Sequence, residues 1–325
     1  MPIWYRDRPW LTMETLNYYC LKVMLINLSQ AINTVEAALI EAQVHFGHGT
    51  DNAWDEAVFL VLGACGMPLD TQKDQLQTGL TREQLLCIED WLGKRIQQRL
   101  PLPYLLGETW FAEIPFKVSQ DVIIPRSPMA ELIGRNFSPF VKNIPKTALD
   151  LCCGSGCIGI AMALRMDISH VDMVDIDRAA LVLSQENIDY HSVADRVRVF
   201  DSNLFSGLSA KHYDLIVSNP PYVDAKDYDD MPVEFSHEPK LALVSGVDGL
   251  DLTAAMLAQA ADWLSEQGLI FIEVGNSEVA LQQALPEVPF MWLDLRAGGN
   301  GVFCLTGAQC RQYQDRFRAW CQSRS

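Results

Sequence analysis

The sequence predicts an α/β protein in which a mostly parallel, doubly wound sheet follows a small domain of helices. From about residue 146 onward, short runs of branched apolar residues alternate with stretches of helical periodicity, the pattern of a parallel sheet covered by helices on both faces. A glycine-rich segment at residues 150–159 joins the first predicted strand to the helix that follows. Before residue 100 the apolar residues recur at helical spacing, which predicts amphipathic helices.

Three parts of the chain precede the predicted sheet. Residues 1–12 show no periodicity and are predicted to form an N-terminal extension. Residues 13–102 are predicted to form a helical domain. Residues 103–125 are predicted to form a linker built around a β-hairpin at 104–122, where aromatic and polar residues alternate. The helices before the hairpin are predicted at 14–44, 53–62 and 81–100.

The third of these helices carries signals at both ends. Thr81 and Gln84 have the spacing of a capping box, in which each side chain bonds the backbone N–H of the other residue. Arg95 and Arg99 are expected in the last turns, where the helix dipole favours a positive charge.

Residues 126–325 are predicted to form the sheet domain. Its last two strands are expected to pair antiparallel, because Gly298-Gly299-Asn300-Gly301 between them has the composition of a tight turn. The strands are predicted at 147–151, 171–174, 197–200, 213–218, 269–274, 290–294 and 302–305. The helices are predicted at 158–165, 179–190, 250–266 and 278–285, with a closing helix at 308–322.

The composition bounds the classes of partner. A net charge of −16 argues against a protein that holds nucleic acid by neutralising phosphates. Acidity suits a basic protein partner, although solubility through self-repulsion explains it equally well. The nine cysteines show no paired Cys-x-x-Cys knuckles, so we expect free thiols in a reducing cytoplasm and no metal. No signal peptide and no membrane-spanning apolar run is evident in the sequence, so a cytoplasmic location is expected.

Residues 150–159 read Asp-Leu-Cys-Cys-Gly-Ser-Gly-Cys-Ile-Gly and run from a strand into a helix. The glycines permit a tight turn and a close approach of the backbone to a ligand. Asp175 ends the next predicted strand, where a carboxylate accepts hydrogen bonds from ribose hydroxyls. This pattern fits a nicotinamide-dependent dehydrogenase as well as a protein that binds S-adenosylmethionine. Asp150 favours the second ligand, because a carboxylate suits an ammonium group and repels a pyrophosphate.

Asn219-Pro220-Pro221-Tyr222 follows directly on the predicted strand at 213–218. The prolines end the strand, so the segment is expected at the sheet edge where ligands bind in open α/β folds. The Asn219 side-chain oxygen and the Pro220 carbonyl are suited to accept from the N–H groups of a planar nitrogen nucleophile, and Tyr222 is suited to stack on it. The segment therefore predicts methyl transfer to a carboxamide or an aromatic amine.

Arg126 stands in the segment Pro125-Arg126-Ser127-Pro128, so the two prolines restrict its backbone. A rigid arginine is useful for anchoring a carboxylate of a ligand. A structural ion pair explains the residue equally well, and both roles remain open.

The glycine-rich segment and Ser218-Asn219-Pro220-Pro221-Tyr222-Val223-Asp224 together resemble the class I S-adenosylmethionine-dependent methyltransferases that modify glutamine side-chain amides of proteins. The resemblance covers roughly residues 15–310. It implies a Rossmann-like fold with a mostly parallel seven-stranded sheet, S-adenosylmethionine as methyl donor and no metal. The subgroup that acts on large-subunit ribosomal protein three is most similar, on these stretches: His48-Gly49-Thr50-Asp51-Asn52, Trp54-Asp55-Glu56-Ala57, Pro125-Arg126-Ser127-Pro128 and His237-Glu238-Pro239.

The resemblance also implies the site residues. Catalytic roles fall to Asn219, Pro220, Pro221 and Tyr222, which would form the glutamine pocket. The implied donor-binding residues are Asp150, Cys152, Cys153, Gly154, Ser155, Gly156, Asp175, Asn203, Leu204 and Asn219.

Three positions depart from the family pattern. Cys153 replaces a usual threonine, which should be harmless because the loop binds through its backbone. Asn203 replaces a usual aspartate near the adenine, which leaves its role open. The turn Asp177-Arg178-Ala179 is also unusual, and it makes Asp177 the alternative to Asp175 as the ribose ligand.

The implied partner is a basic protein, a large-subunit ribosomal protein, recognised by the helical domain at 13–102, with no nucleic acid and no membrane. The alternatives are the release-factor glutamine methyltransferase, an adenine amino-group methyltransferase, the dehydrogenase and an inactive assembly factor. The acidic charge and the lack of a basic, aromatic-rich target domain disfavour the adenine enzyme.

Overall fold

The computed structural model describes residues 26–69, 71–296 and 300–324. The predicted extension and the first part of the predicted helix at 14–44 lie outside the described residues, as do Gly298 and Gly299 of the predicted turn. The chain divides into two compact units with the boundary between Leu106 and Gly107, so the hairpin is part of the second unit.

The first unit consists of helices that pack on a shared apolar core. Asn27 and Gln30 form a capping box at the start of the first helix, and Thr81 and Gln84 form the predicted capping box at the start of the third. The helices are α1 Leu28–Glu41, α2 Ala53–Ala64, α3 Arg82–Gln97 and α4 Leu102–Leu106.

Arg95 lies in the last turn of α3, as predicted, but both Arg95 and Arg99 also make contacts that the sequence did not suggest. Arg95 is only 1% exposed and donates to Glu56 Oε1 at 2.5 Å and to the carbonyl of His45 at 2.6 Å. Arg99 lies beyond the end of α3 and donates to the carbonyl of Ala42 at 2.9 Å. Both side chains therefore join the end of α3 to other segments of the unit. The apolar periodicity of α3 gave no sign of this, because the partners lie about 40 to 60 residues earlier.

The second unit begins with an antiparallel hairpin of β1 Glu108–Phe111 and β2 Ile114–Lys117 and continues into a seven-stranded sheet. The strands of the sheet are β3 Thr147–Leu151, β4 His170–Asp175, β5 Val197–Asp201, β6 Tyr213–Ser218, β7 Leu264–Glu273, β8 Met291–Trp292 and β9 Val302–Thr306. Their order is β5-β4-β3-β6-β7-β9-β8, and only β9 runs against its neighbours. The predicted mostly parallel sheet with an antiparallel pair at its end is confirmed.

Helices cover both faces of the sheet. The helices of the second unit are α5 Met129–Gly134, α6 Cys157–Arg165, α7 Arg178–Tyr190, α8 Ala225–Asp229, α9 Asp251–Trp263, α10 Glu278–Ala284, α11 Gly307–Gln312 and α12 Gln314–Gln322. Side chains of α5, α6 and α7 share one core with the sheet, and those of α9 to α12 share the other. Successive strand residues point to opposite faces, so Ala148 lies in the first core and Leu149 in the second. No helix among the described residues has the length and apolar character needed to cross a membrane.

Several predicted boundaries are wrong. The predicted hairpin at 104–122 is shorter, because its first residues belong to α4. The predicted helix at 250–266 ends at Trp263, because Leu264 pairs with Tyr213 of β6. The predicted strand at 290–294 contains only the two residues of β8, and the predicted closing helix is divided at Tyr313 into α11 and α12.

Candidate active site

The carboxyl ends of β4, β3 and β6 bring most of the predicted site residues to one edge of the sheet, and β7 ends at the same edge. β3 lies between β4 and β6, and β7 follows β6. These strands end at Leu151, Asp175, Ser218 and Glu273. Because they run parallel, the glycine-rich loop, Asp175 and the segment after Ser218 meet at the edge where ligands bind in open α/β sheets.

The loop after β3 turns through left-handed backbone conformations. The φ angles of Cys152, Gly154 and Gly156 are 59°, 55° and 79°. Two side chains of α7 hold this shape from behind: Ser184 Oγ donates to the carbonyl of Gly154 at 2.8 Å, and Asn187 Nδ2 donates to the carbonyl of the next residue at 2.9 Å. Two side chains of α7 therefore fix the loop by bonding its backbone carbonyls, so the conformation of the loop does not depend on its own side chains.

Of the three cysteines around this loop, Cys153 and Cys157 are buried and Cys152 is partly buried. Burial raises the pKa of the Cys157 thiol to about 12 and holds the pKa values of the Cys152 and Cys153 thiols well above the usual range. Neutral thiols are poor nucleophiles and poor metal ligands. In the part of the chain that the structure describes, no group of three or more His, Cys, Asp or Glu side chains is placed to hold a metal ion.

Asp150 is a fully buried carboxylate with one unpaired oxygen. Its Oδ2 accepts from the backbone N–H of Gly159 at 2.8 Å, whereas within the described part of the chain its buried Oδ1 has no hydrogen-bond partner. Burial, together with the negative charge of Asp175, raises the pKa of Asp150 to about 8. A buried carboxylate oxygen without a partner is costly, and a positively charged ligand group beside it would remove that cost.

Asp175 and Asp177 have different tasks. Asp175 Oδ2 accepts from the N–H of Gly154 at 2.9 Å, so its carboxylate adjoins the loop. Burial raises the pKa of this carboxyl as well. Asp177 Oδ1 accepts from Ala179 N–H at 2.6 Å and caps α7. The other oxygen of Asp175 accepts from the Asp177 N–H at 3.0 Å, so Asp175 adjoins both the glycine-rich loop and the turn before α7.

The segment after β5 lies beside Asp175. Asp201 is paired in register with Asp175, and the N–H of Ser202 donates to the carbonyl of Asp175 at 3.0 Å. The side chain of Asn203 is exposed next to this contact, whereas that of Leu204 is buried. Asn203 and Leu204, both predicted to bind the donor, thus directly follow a residue whose backbone bonds Asp175.

The Asn219 side chain is anchored by its nitrogen and leaves its oxygen available. Nδ2 donates to the carbonyl of Arg126 at 3.2 Å, and the buried Oδ1 has no hydrogen-bond partner among the residues that the structure describes. This bond assigns the amide orientation, because a carbonyl can accept only from the nitrogen side. Pro220 is buried and Pro221 is half-buried. Their pyrrolidine rings restrict the backbone φ angles of the two residues that follow Asn219. The segment therefore holds a buried oxygen, Asn219 Oδ1, that is able to accept a hydrogen bond.

Tyr222 is held at its hydroxyl, its carbonyl and its ring. The hydroxyl donates to Glu273 Oε1 at 2.8 Å, and the carbonyl accepts from Ser277 Oγ at 3.2 Å. A Cβ placed on Gly249 would lie 2.0 Å from the Tyr222 carbonyl oxygen, and one on Gly275 would lie 2.6 Å from the tyrosine ring. We refer to Gly249 and Gly275 as the glycine shelf, because Tyr222 rests where their side chains would be.

Arg126 forms a structural ion pair, one of the two roles left open by the sequence. Its Nη1 and Nη2 donate to the two carboxylate oxygens of Glu238 at 2.5 and 2.6 Å, a bidentate geometry. Glu238 also accepts from the N–H of Ile124 at 3.0 Å. The guanidinium lies 5.3 Å from the ring centroid of Phe235. The pair therefore fixes the carbonyl of Arg126 that bonds Asn219.

Sequence reasoning assigned no role to Glu273, which ends β7 at the same sheet edge. It is 4% exposed and accepts from the hydroxyl of Tyr222 and, at 2.6 Å, from that of Ser127. Burial raises the pKa of its carboxyl. The available signal was an acidic residue at the end of the apolar run from residue 269, matching the position of Asp175 in its own strand.

The chain matches known methyltransferases over most of its length. The family model for the methyltransferase small domain matches residues 137–247. A ribosomal protein uL3 glutamine methyltransferase from Francisella tularensis is 45% identical over 281 residues, which is 86% of this chain and 90% of that protein. The enzyme of the same name from Neisseria meningitidis is 41% identical and covers 83% of this chain and 89% of its own. A solved methyltransferase from Pyrococcus furiosus, at 16% identity, aligns over 59% of this chain and 88% of its own with a TM-score of 0.44.

The sheet order, the ligand loop and the matched domain define a class I methyltransferase. The chain belongs to the family of ribosomal protein uL3 glutamine methyltransferases, as its identity to two curated members over more than four fifths of its length establishes. The resemblance inferred from the sequence motifs is confirmed.

Proposed function

We propose that this protein transfers a methyl group from S-adenosylmethionine to the side-chain amide nitrogen of a glutamine in large-subunit ribosomal protein uL3. Its family relatives carry that name. The observation that carries the proposal is the buried Oδ1 of Asn219, an unpaired acceptor fixed at the carboxyl edge of β6. An amide NH₂ group is the complementary donor.

The residues around the loop fit this donor better than a dinucleotide. The unpaired Oδ1 of Asp150 suits the ammonium group of the methionine part, and the backbone of residues 152–156 approaches the ligand. Asp175 is the ribose ligand, with Asn203 and Leu204 on the adenine side. A pyrophosphate would meet the carboxylates of Asp150 and Asp175, which repel it. When bound, S-adenosylmethionine supplies an electrophilic methyl group on a sulfonium that leaves readily.

The protein's own contribution is to orient and polarise the amide. Asn219 Oδ1 and the Pro220 carbonyl each accept one N–H of the glutamine side chain, which aims the nitrogen and stabilises positive charge as it develops there. Pro221 fixes the direction of the Pro220 carbonyl, and Tyr222 covers the planar amide. The proton leaves after transfer, so the site needs no strong base.

The partner is a basic protein segment, and the helical unit takes part in its recognition. A net charge of −16 favours its approach over that of a nucleic acid. We place the reaction in the cytoplasm, where uL3 is synthesised and assembled, with no part for a membrane or a metal ion.

The test is incubation of the purified protein with methyl-labelled S-adenosylmethionine and, separately, uL3, a release factor and DNA. We expect label in uL3, on a glutamine located by mass spectrometry of its peptides. Label confined to the release factor would reassign the substrate within the same chemistry. Label in DNA alone, or in no acceptor, would refute the proposal.

Asp175→Ala is expected to weaken binding of S-adenosylmethionine roughly tenfold, the effect of losing one or two hydrogen bonds to a charged group. Titration calorimetry measures this directly. The matched control is Asp177→Asn, which keeps a capping side chain on α7 and is expected to bind the donor like the wild type. Unchanged donor affinity in Asp175→Ala would move the ribose contact to Asp177.

A further inference from the structure

The segment at residues 124–127 is fixed by two buried carboxylates from distant parts of the chain. Glu238 accepts from the Ile124 N–H and from both guanidinium nitrogens of Arg126. Glu273 accepts from Ser127 Oγ at 2.6 Å, and the same oxygen of Ser127 receives the N–H of Met129 at 3.1 Å. The two glutamates are only 4% exposed each. The peptide between them therefore has little freedom to move.

This segment carries the one atom that anchors the Asn219 side chain, the carbonyl oxygen of Arg126. The carboxylate of Glu273 also accepts from the hydroxyl of Tyr222. Glu273 thus connects both walls of the amide pocket, Tyr222 directly and Asn219 through Ser127 and the neighbouring peptide.

We propose that Ser127 and Glu273 are positioning residues that hold the Asn219 amide in one orientation and so make the pocket select an amide over a carboxylate. The inference rests on the proposed function, since the selected group is the glutamine side chain of the substrate. Neither residue has to touch the substrate for this role.

The physical basis is the asymmetry of the two amide orientations. In the observed one, Nδ2 donates to the Arg126 carbonyl, and Oδ1 is a buried acceptor with no partner among the described residues, which suits an N–H group of glutamine. In the flipped one, Oδ1 would face a carbonyl oxygen, and Nδ2 would offer a donor to a carboxylate such as glutamate. The flip is unfavourable only while the Arg126 carbonyl stays in place, because a carbonyl free to turn away would remove the repulsion.

The variants that test this are Ser127→Ala, which removes the hydroxyl alone, and Glu273→Gln, which keeps the shape and weakens both bonds. The protein also offers a matched control. Tyr213 donates to Asp172 Oδ2 at 2.7 Å, a tyrosine–carboxylate pair that joins β6 to β4 well before the carboxyl ends of those strands. The same oxygen also pairs with Lys211 Nζ at 2.5 Å, so Asp172→Asn disturbs a buried tyrosine–carboxylate pair and an ion pair with it, away from the pocket.

The first readout is discrimination between two peptides of the methylated sequence, one with the target glutamine and one with glutamate in its place. In the wild type we expect the glutamate peptide to compete poorly. In Ser127→Ala and Glu273→Gln we expect the ratio of the two affinities to fall about tenfold, with kcat for glutamine lowered and donor affinity unchanged. Asp172→Asn is expected to keep the wild-type ratio.

The second readout is independent of activity. In protein labelled with ¹⁵N-asparagine, the side-chain NH₂ resonances of Asn219, assigned by their loss in Asn219→Ala, report the bond to the Arg126 carbonyl. We expect these resonances to shift in Ser127→Ala and Glu273→Gln and to stay unchanged in Asp172→Asn.

An unchanged peptide ratio in both variants, or unmoved Asn219 resonances, would overturn the inference. A wild-type protein that methylates no glutamine would refute the proposed function instead, and the resonances would still decide whether Ser127 and Glu273 fix the amide.

Discussion

Asn219→Ala is expected to lower turnover roughly 100- to 1000-fold while leaving the affinity for S-adenosylmethionine nearly intact. The loss is that of one preorganised polar partner at the atom where charge develops. Asn219 Oδ1 is the unpaired acceptor, and alanine leaves the Pro220 carbonyl to orient the nucleophile alone. Removal of the side chain also breaks its hydrogen bond to the Arg126 carbonyl. This second loss affects the amide pocket and not the loop that binds the donor.

Single-turnover methylation of uL3 and calorimetric donor binding measure the two quantities separately. Thermal unfolding of the same variant shows whether the fold is kept. Donor affinity that collapsed while turnover per bound donor stayed unchanged would place Asn219 in donor binding rather than in catalysis.

Asp150→Asn is expected to weaken donor binding strongly and, in the ligand-free protein, to stabilise the fold at high pH. The pKa of Asp150 is raised by burial to about 8, so the folded protein binds a proton that the unfolded chain releases near pH 4. Stability is therefore lost as pH rises from about 4 to about 8. Asparagine does not ionise, so the variant lacks this loss, which about four pKa units put at roughly 5 kcal/mol by pH 8 and at nothing near pH 4.

Denaturant titrations between pH 4 and pH 8.5 measure the stability of both proteins. Donor calorimetry in two buffers of different ionisation enthalpy supplies a second check. Wild-type binding is expected to release a proton near pH 7, because a cationic ligand lowers the pKa of Asp150, and Asp150→Asn is expected to release less. Equal proton release by the two proteins would remove Asp150 from the ammonium site.

The sheet was predictable because runs of apolar residues mark its strands. The position of the candidate site was predictable because the residues at the ends of these runs differ from the runs themselves. The run from residue 213 ends in two prolines, and the run from residue 147 ends in glycines, so each strand end is marked in the sequence. The sequence placed Arg95 correctly in the last turn of its helix but gave no sign of its partner, because helical periodicity describes a residue's own helix and not the distant Glu56 that it meets. The orientation of Asn219 was unreadable for the same reason, since its anchor at Arg126 lies 93 residues earlier.

The link between Ser127 and Glu273 spans 146 residues and joins two elements that no local pattern connects. Taken alone, Ser127 resembles an ordinary polar residue of a turn, and Glu273 resembles an ordinary polar residue at the end of a strand. Only the assembled sheet edge shows that one carboxylate serves both Tyr222 and the segment behind Asn219.

The glycine shelf also identifies two positions outside the reacting segment at which a substitution would alter the pocket. Gly249 and Gly275 lie about 27 and 53 residues after Tyr222, yet an added methyl group at either would collide with that residue at 2.0 or 2.6 Å. The contour of the pocket is thus set partly by side chains that are absent, in stretches that share no motif with the reacting segment. Even an alanine at either position would force Tyr222 to shift, so these two glycines constrain the reacting segment from outside its motif.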